Sequence, residues 1–196
     1  VMRGRPLTGP RGEGDAFTTW RAATDRVVGR LAGEEVSDAA RMAFVEMLLA
    51  GITCVGEFHY LHHQPDGTPC PEPNFIGQEI LRAAHDVGLR IALLKVACAR
   101  EGGARTLMAK ADQFVREAEA LRLFAEKNHP SDEVWTGVAM GNPRTMPLDY
   151  LKAVGTYAHA QRLRLHAQLS ERAEDNKACT AAHGRSPVAL LAELGL

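Results

Sequence analysis

Four short apolar runs, each followed by a stretch with helical spacing, constrain this chain more than any other feature. The runs are "ITCVGEF" (52–58), "RIALLKVA" (90–97), "VWTGVAM" (134–140) and "RLRLHAQ" (162–168); the stretches after them are "NFIGQEILRAAHDVG", "MAKADQFVREAEALRLFAEKN", "LDYLKAVGTYAHAQ" and, beyond a polar loop, "SPVALLAELG". Strands that are apolar without alternation are buried on both faces, which a parallel sheet covered by helices provides. Two further segments, "AFTTWRAATDRVVGRLAG" and "SDAARMAFVEMLLAG", carry apolar residues three and four apart and end at Gly, so two helices lead into the first unit.

A series of βα units builds either an open doubly wound sheet or part of a (βα) barrel. The open sheet usually announces itself with a Gly-rich phosphate loop after its first strand. Here that place holds "HYLHHQPDG". In a barrel the functional groups stand at the C-terminal ends of the strands, and polar residues collect there: Glu57, His59 and Tyr60 after the first run, Asn142 and Arg144 after the third, His166, Gln168 and Glu171 on and after the fourth. A complete barrel needs about eight such units. Four units in 196 residues make half a barrel, read as one domain over 1–196.

Composition narrows the function classes. With 45% hydrophobic and 24% charged residues and a net charge of −1, the chain has enough apolar material for a core. It lacks the basic excess that nucleic acid or an anionic membrane would call for. Its apolar runs are too short to span a bilayer, and its opening residues have no apolar signal region. The expected setting is therefore cytoplasmic, with the four widely spaced cysteines (54, 70, 98 and 179) reduced.

The residues that could carry chemistry each admit a plainer role. Alternation places Arg164, His166, Gln168 and Ser170 on one strand face, where His166 could ligate a metal or be a hydrogen-bonded core histidine. Glu171 could move a proton or simply favour a helix start. Arg144 could fork onto a carboxylate or be an exposed loop residue, and Arg21, next to Trp20 on a helix, is equally open. His62 and His63 are adjacent and diverge, which argues against their sharing a metal; Pro65, Asp66 and Gly67 mark a turn after them. Tyr60 suits a polar contact with a ligand or packing on the loop.

The segments "TTWR", "AFVEMLLAGITCVGEFHYLHHQPDGTP", "GVAMGNPRTMP", "LHAQLSERAED" and "GRSPVALLAELG" together resemble the formimidoylglutamate deiminases of the amidohydrolase superfamily. The resemblance implies a metal-dependent, TIM-like (βα) barrel with a flanking β-domain and one zinc. It also implies hydrolysis of N-formimino-L-glutamate to N-formyl-L-glutamate and ammonia in histidine breakdown. It assigns substrate contacts to Arg21, Tyr60 and Arg144, places Gly141 and Asn142 where the family has a substrate-site histidine and a serine, and makes Glu171 the catalytic proton carrier. His166 matches the first histidine of a His-x-His-x-x-Glu strand, while Gln168 stands where the family's zinc-binding histidine would be. The family's remaining ligands have no counterpart here, so the chain corresponds to the second to fifth barrel strands.

The expected partner is a small anionic substrate, with neither nucleic acid nor membrane, and the parent protein is expected to be a homodimer. Two other functions stay open: a related deaminase with another substrate, which the space at Gly141 favours, and a non-catalytic relative that has lost its metal and binds an anion. With two parallel edges uncovered, the isolated chain is expected to associate and to be inactive.

Overall fold

The computed structural model describes residues 16–98, 110–141, 143 and 146–196, the side chains of 16–18, 20, 21 and 25 excepted. Helices α1 (Ala16–Val28) and α2 (Gly33–Leu49) lead into β1 (Cys54–His59), α3 (Phe75–Val87), β2 (Arg90–Ala97), α4 (Ala111–Asn128), β3 (Val134–Met140), α5 (Leu148–Ala160), β4 (Leu165–Ala167), α6 (Ala173–His183) and α7 (Pro187–Glu193). The four strands form one parallel sheet in the order β1-β2-β3-β4. The expected βα rhythm is therefore the architecture, and the sheet curls into half of a barrel with helices outside.

Curvature follows from contacts between the two edge strands. Adjacent strands lie about 4.8 Å apart, so β1 and β4 would be separated by roughly 14 Å in a flat sheet. Yet the rings of Phe58 on β1 and His166 on β4 have centroids 6.1 Å apart, so the sheet bends toward this face.

The two faces bury different things. On the convex face Ile91 and Leu93 pack under α3 with Ile76, Ile80, Leu81 and Phe44 of α2. Further along, Val138 and Met140 pack with Phe114 of α4 and Tyr150, Leu151 and Val154 of α5. The concave face holds a smaller apolar floor of Leu94, Val96 and Ala139, against which Phe58, Tyr60 and Cys98 pack.

Two local expectations change. The fourth strand runs only from Leu165 to Ala167, because Arg162 at φ +54 still belongs to the turn that ends α5 and Ser170 at φ +56 turns the chain away after it; the Ser170 hydroxyl pairs with Asn176 Oδ1 at 2.7 Å. The polar loop after it contains an unanticipated helix, α6. Only Asp175 and Cys179 of that helix are buried, too few to leave an apolar period in the sequence. Its start is held by the Arg172 N–H, which donates to Asp175 Oδ2 at 3.3 Å, and its end by Gly184 in the left-handed region at φ +68. None of the four cysteines is in a disulfide.

Candidate functional site

The C-terminal ends of β1 to β4 open on one side of the half barrel, and strand alternation decides which side chains face inward there. On β1 the inward set is Phe58 and then Tyr60; Glu57 and His59 point to the helix side. His59 is buried, with its Nε2 against Gly77 of α3, where an added Cβ would come within 3.4 Å. The three polar residues at the end of the first run are thus divided between two faces, and only Tyr60 reaches the concave one.

Tyr60 and Gln168 meet across the sheet. The Tyr60 hydroxyl donates to Gln168 Oε1, closing the mouth of the half barrel between strands that share no ladder. His166 lies on the same face, exposed, with its ring edge-on to Phe58 at an interplanar angle of 89°. Glu171 is exposed in the bend between β4 and α6. The structure therefore gathers Tyr60, His166 and Gln168 and leaves Glu171 at the rim. Arg21 falls within α1, and Asn142 and Arg144 lie outside the described residues.

Gly141 follows β3 and donates its N–H to the Ala97 carbonyl at 2.9 Å. A Cβ on Gly141 would meet that same oxygen at 2.8 Å and Met146 at 3.8 Å. Any side chain at 141 would thus begin against the backbone of β2.

A zinc centre of this kind takes three or four ligands, drawn from His, Cys and carboxylate. Among the described residues no group of three such side chains converges, and the amide oxygen of Gln168 is engaged by Tyr60. The described residues alone do not fit a zinc ion.

Sequence reasoning passed over the most elaborate polar cluster, which sits on the convex side beneath the same strand ends. Lys95, in the middle of an apolar strand, is 2% exposed. Its ammonium donates to Asn74 Oδ1 at 2.8 Å, Glu117 Oε2 at 3.3 Å and His62 Nδ1 at 3.4 Å. His62 in turn contacts the Val96 carbonyl through Nε2 at 2.8 Å. A carbonyl only accepts, so Nε2 carries the proton and Nδ1 is free to accept from Lys95. Burial, with the nearby Lys95 charge second, holds the His62 imidazole well below its ordinary pKa, which agrees with a neutral ring. Asn74 sits at the start of α3 in the left-handed region, φ 63, and its Nδ2 donates to the Glu117 carbonyl at 2.8 Å. The one available signal was the charged residue inside "RIALLKVA".

Glu57 stands apart from this cluster. Burial raises its carboxyl to about 7. Burial also lowers His59, to about 3, helped by Lys95 and opposed by a hydrogen bond with the Leu61 backbone.

Comparison with known proteins gives the geometry its context. A formimidoylglutamate deiminase from Pseudomonas aeruginosa is 31% identical over 183 residues, covering 91% of this chain and 40% of that protein. A solved amidohydrolase from Brucella melitensis superposes with a TM-score of 0.82 at 30% identity, covering 98% of this chain and 43% of that one. An adenosine deaminase from Xanthomonas campestris, solved with bound zinc, superposes at 0.67 with 22% identity, over 85% of this chain and 33% of that one. The chain thus spans about two fifths of the length of the first two relatives. The model of the amidohydrolase family matches residues 4–196, nearly the whole sequence and every element of the half barrel, and the chain belongs to that family.

Proposed function

We propose that the protein carrying this chain is a deiminase that hydrolyses the C–N bond of N-formimino-L-glutamate, giving N-formyl-L-glutamate and ammonia. The observation that carries this reading is the meeting of Tyr60, His166 and Gln168 at the C-terminal mouth of the half barrel, where (βα) barrels hold their substrates. The identity to the Pseudomonas deiminase supports the choice of substrate.

In this reading Arg21 and Arg144 engage the two carboxylates of the substrate, since guanidinium groups match carboxylates with paired hydrogen bonds. Tyr60 exchanges its bond to Gln168 for one to the substrate and fixes the amidine over the strand ends. Gly141 does not open the space expected of it, because its Cβ direction is filled by the Ala97 carbonyl. Glu171 takes a proton from the attacking water and delivers it to the departing nitrogen, which leaves as ammonia. Zinc is the expected cofactor of the whole protein, supported by the metal in the Xanthomonas adenosine deaminase. When bound, it would activate water. Of this chain, His166 and Gln168 are the residues nearest to that role, and they do not make a site by themselves. The small anionic substrate leaves no need for nucleic acid or a membrane. Among the described residues no helix is long and apolar enough to cross a bilayer.

A second reading has one observation in its favour. The amide at 168 satisfies Tyr60, whereas an imidazole there would be free for a metal, and this favours a relative that binds an anionic ligand without turnover. Ammonia release from N-formimino-L-glutamate by the whole protein, measured with zinc beside its Glu171→Gln variant, separates the two. Turnover that disappears in the variant supports the deiminase. A folded protein with no turnover and no zinc supports the binding protein.

A further inference from the structure

We propose that Lys95 and His62 are positioning residues for Tyr60, forming a buried pin that fixes the β1–α3 loop so that the Tyr60 hydroxyl points into the mouth of the half barrel. The proposal rests on the reading of Tyr60 as a substrate contact.

The loop from Tyr60 to Cys70 sets Leu61 and Cys70 into the core under α3 and bridges His63 to Pro69. Its far half is a closed turn, with Gln64 N–H donating to Thr68 O at 2.8 Å and Gly67 N–H to Gln64 O at 2.9 Å. Those bonds shape the turn without tying it to the sheet. His62 makes a polar tie to β2, through Nε2 to the Val96 carbonyl, while the Val96 side chain lies on the opposite face in the apolar floor that Tyr60 packs against. One residue of β2 is therefore held by the loop on one side and supports Tyr60 on the other.

Lys95 sets the tautomer on which this tie depends. By donating to Nδ1 it requires a lone pair there, which leaves the ring proton on Nε2, facing Val96. Its other two donors go to Asn74, at the first turn of α3, and Glu117 of α4, so both ends of the loop refer to one ammonium. Gln113 Nε2 donates to the second Glu117 oxygen at 3.0 Å, and the Phe114 ring lies 5.9 Å from the ammonium. An apolar residue at 95, between Leu93 and Ala97 on the same face, would be at least as good for stability, since buried charges commonly gain little over well-packed hydrophobes. A fully satisfied ammonium in that place specifies a conformation.

The experiment uses fluorine NMR of the whole protein labelled with 3-fluorotyrosine. The lines of Tyr60, Tyr150 and Tyr157 are those lost in Tyr60→Phe, Tyr150→Phe and Tyr157→Phe. His62→Leu and Lys95→Met are expected to split or broaden the Tyr60 line at least twofold while leaving Tyr157 unchanged. His62→Gln, whose amide can both donate to Val96 and accept from Lys95, is expected to restore a single line. An unaltered Tyr60 line in both His62→Leu and Lys95→Met overturns the proposal, as does an equal disturbance of all three tyrosines. Titration with N-formyl-L-glutamate tests the underlying reading separately. If Tyr60→Phe does not weaken binding by about tenfold, Tyr60 is not a substrate contact, whatever the fluorine lines show of the pin.

Discussion

The ring of His166 meets the ring of Phe58 edge-on, at 6.1 Å and 89°, although two strands lie between them. Together with the Tyr60 to Gln168 hydrogen bond, this contact makes the concave mouth a single surface assembled from the first and last strands. Replacing Gln168 with histidine should convert that surface. Gln168→His exchanges a neutral amide oxygen for an imidazole, a much better zinc ligand, and should raise the zinc content of the whole protein at pH 7, read by elemental analysis after dialysis. Unchanged zinc would mean that position 168 does not face the metal.

The buried ammonium gives a stability prediction of its own. Lys95→Ala removes one partner and leaves Glu117, Asn74 and His62 facing a void, which should cost about 3–5 kcal/mol. Lys95→Met with Glu117→Gln removes both charges while filling the same volume, and should cost far less than Lys95→Ala. Denaturant midpoints of the two variants check this; equal losses would show that packing, and not the uncompensated charge, dominates.

Stability should fall on both sides of a maximum near pH 6 to 7. His59 is lowered to about 3, so between that value and an unfolded value near 6.5 the unfolded chain binds more protons. The stability His59 gives is present above about 6.5 and is lost as pH falls toward 3. His62 is lowered as well and acts in the same direction. Glu57 is raised to about 7. Between an unfolded value near 4.3 and 7 it is the folded chain that binds more protons, so stability declines as pH rises through that window. Glu57→Gln should flatten the decline and stabilise the protein at pH 8, measured as a rise in melting temperature that is absent at pH 4.

Gly141 offers a purely steric test. A Cβ there would lie 2.8 Å from the Ala97 carbonyl, a backbone atom that cannot swing aside, so Gly141→Ala should cost about 1–3 kcal/mol. The same contact limits any attempt to reintroduce an imidazole at this position. A neutral Gly141→Ala in thermal denaturation would show that β2 and β3 can part.

How far the sequence speaks for this structure depends on what each segment buries. The runs 90–97 and 134–140 coincide with β2 and β3 because both strands are apolar on both faces. The fourth run overestimates its strand, since Arg162 before it and Ser170 after it adopt positive φ, a conformation that neither "QRLR" nor "QLSER" announces. Helix α6 is illegible because it buries two residues. At the site, His62 is buried and His63 half-buried, with their rings edge-on and centroids 6.5 Å apart. The partner of His62 lies 33 positions away on the next strand, however, and no local pattern reaches that far. Alternation likewise could not say whether Glu57 or Tyr60 faced inward until a contact across the sheet identified the concave side.

The isolated chain should self-associate. Among the described residues β1 and β4 each have a strand on one side only, and unpaired edges recruit strands from other chains. A second adhesive surface lies nearby: Met42 (61% exposed), Val45 (40%) and Leu49 (83%) form a stripe at spacings of three and four on α2, continued by Ile52 (45%). Apolar stripes of this kind on a helix are ordinarily covered. Light scattering across a dilution series should therefore show mass rising with concentration. Met42→Lys with Leu49→Lys should lower it if the helix stripe drives association, and leave it unchanged if the strand edges do. A monomer at every concentration would mean that both surfaces tolerate water, and would remove the expectation that the half barrel needs a partner.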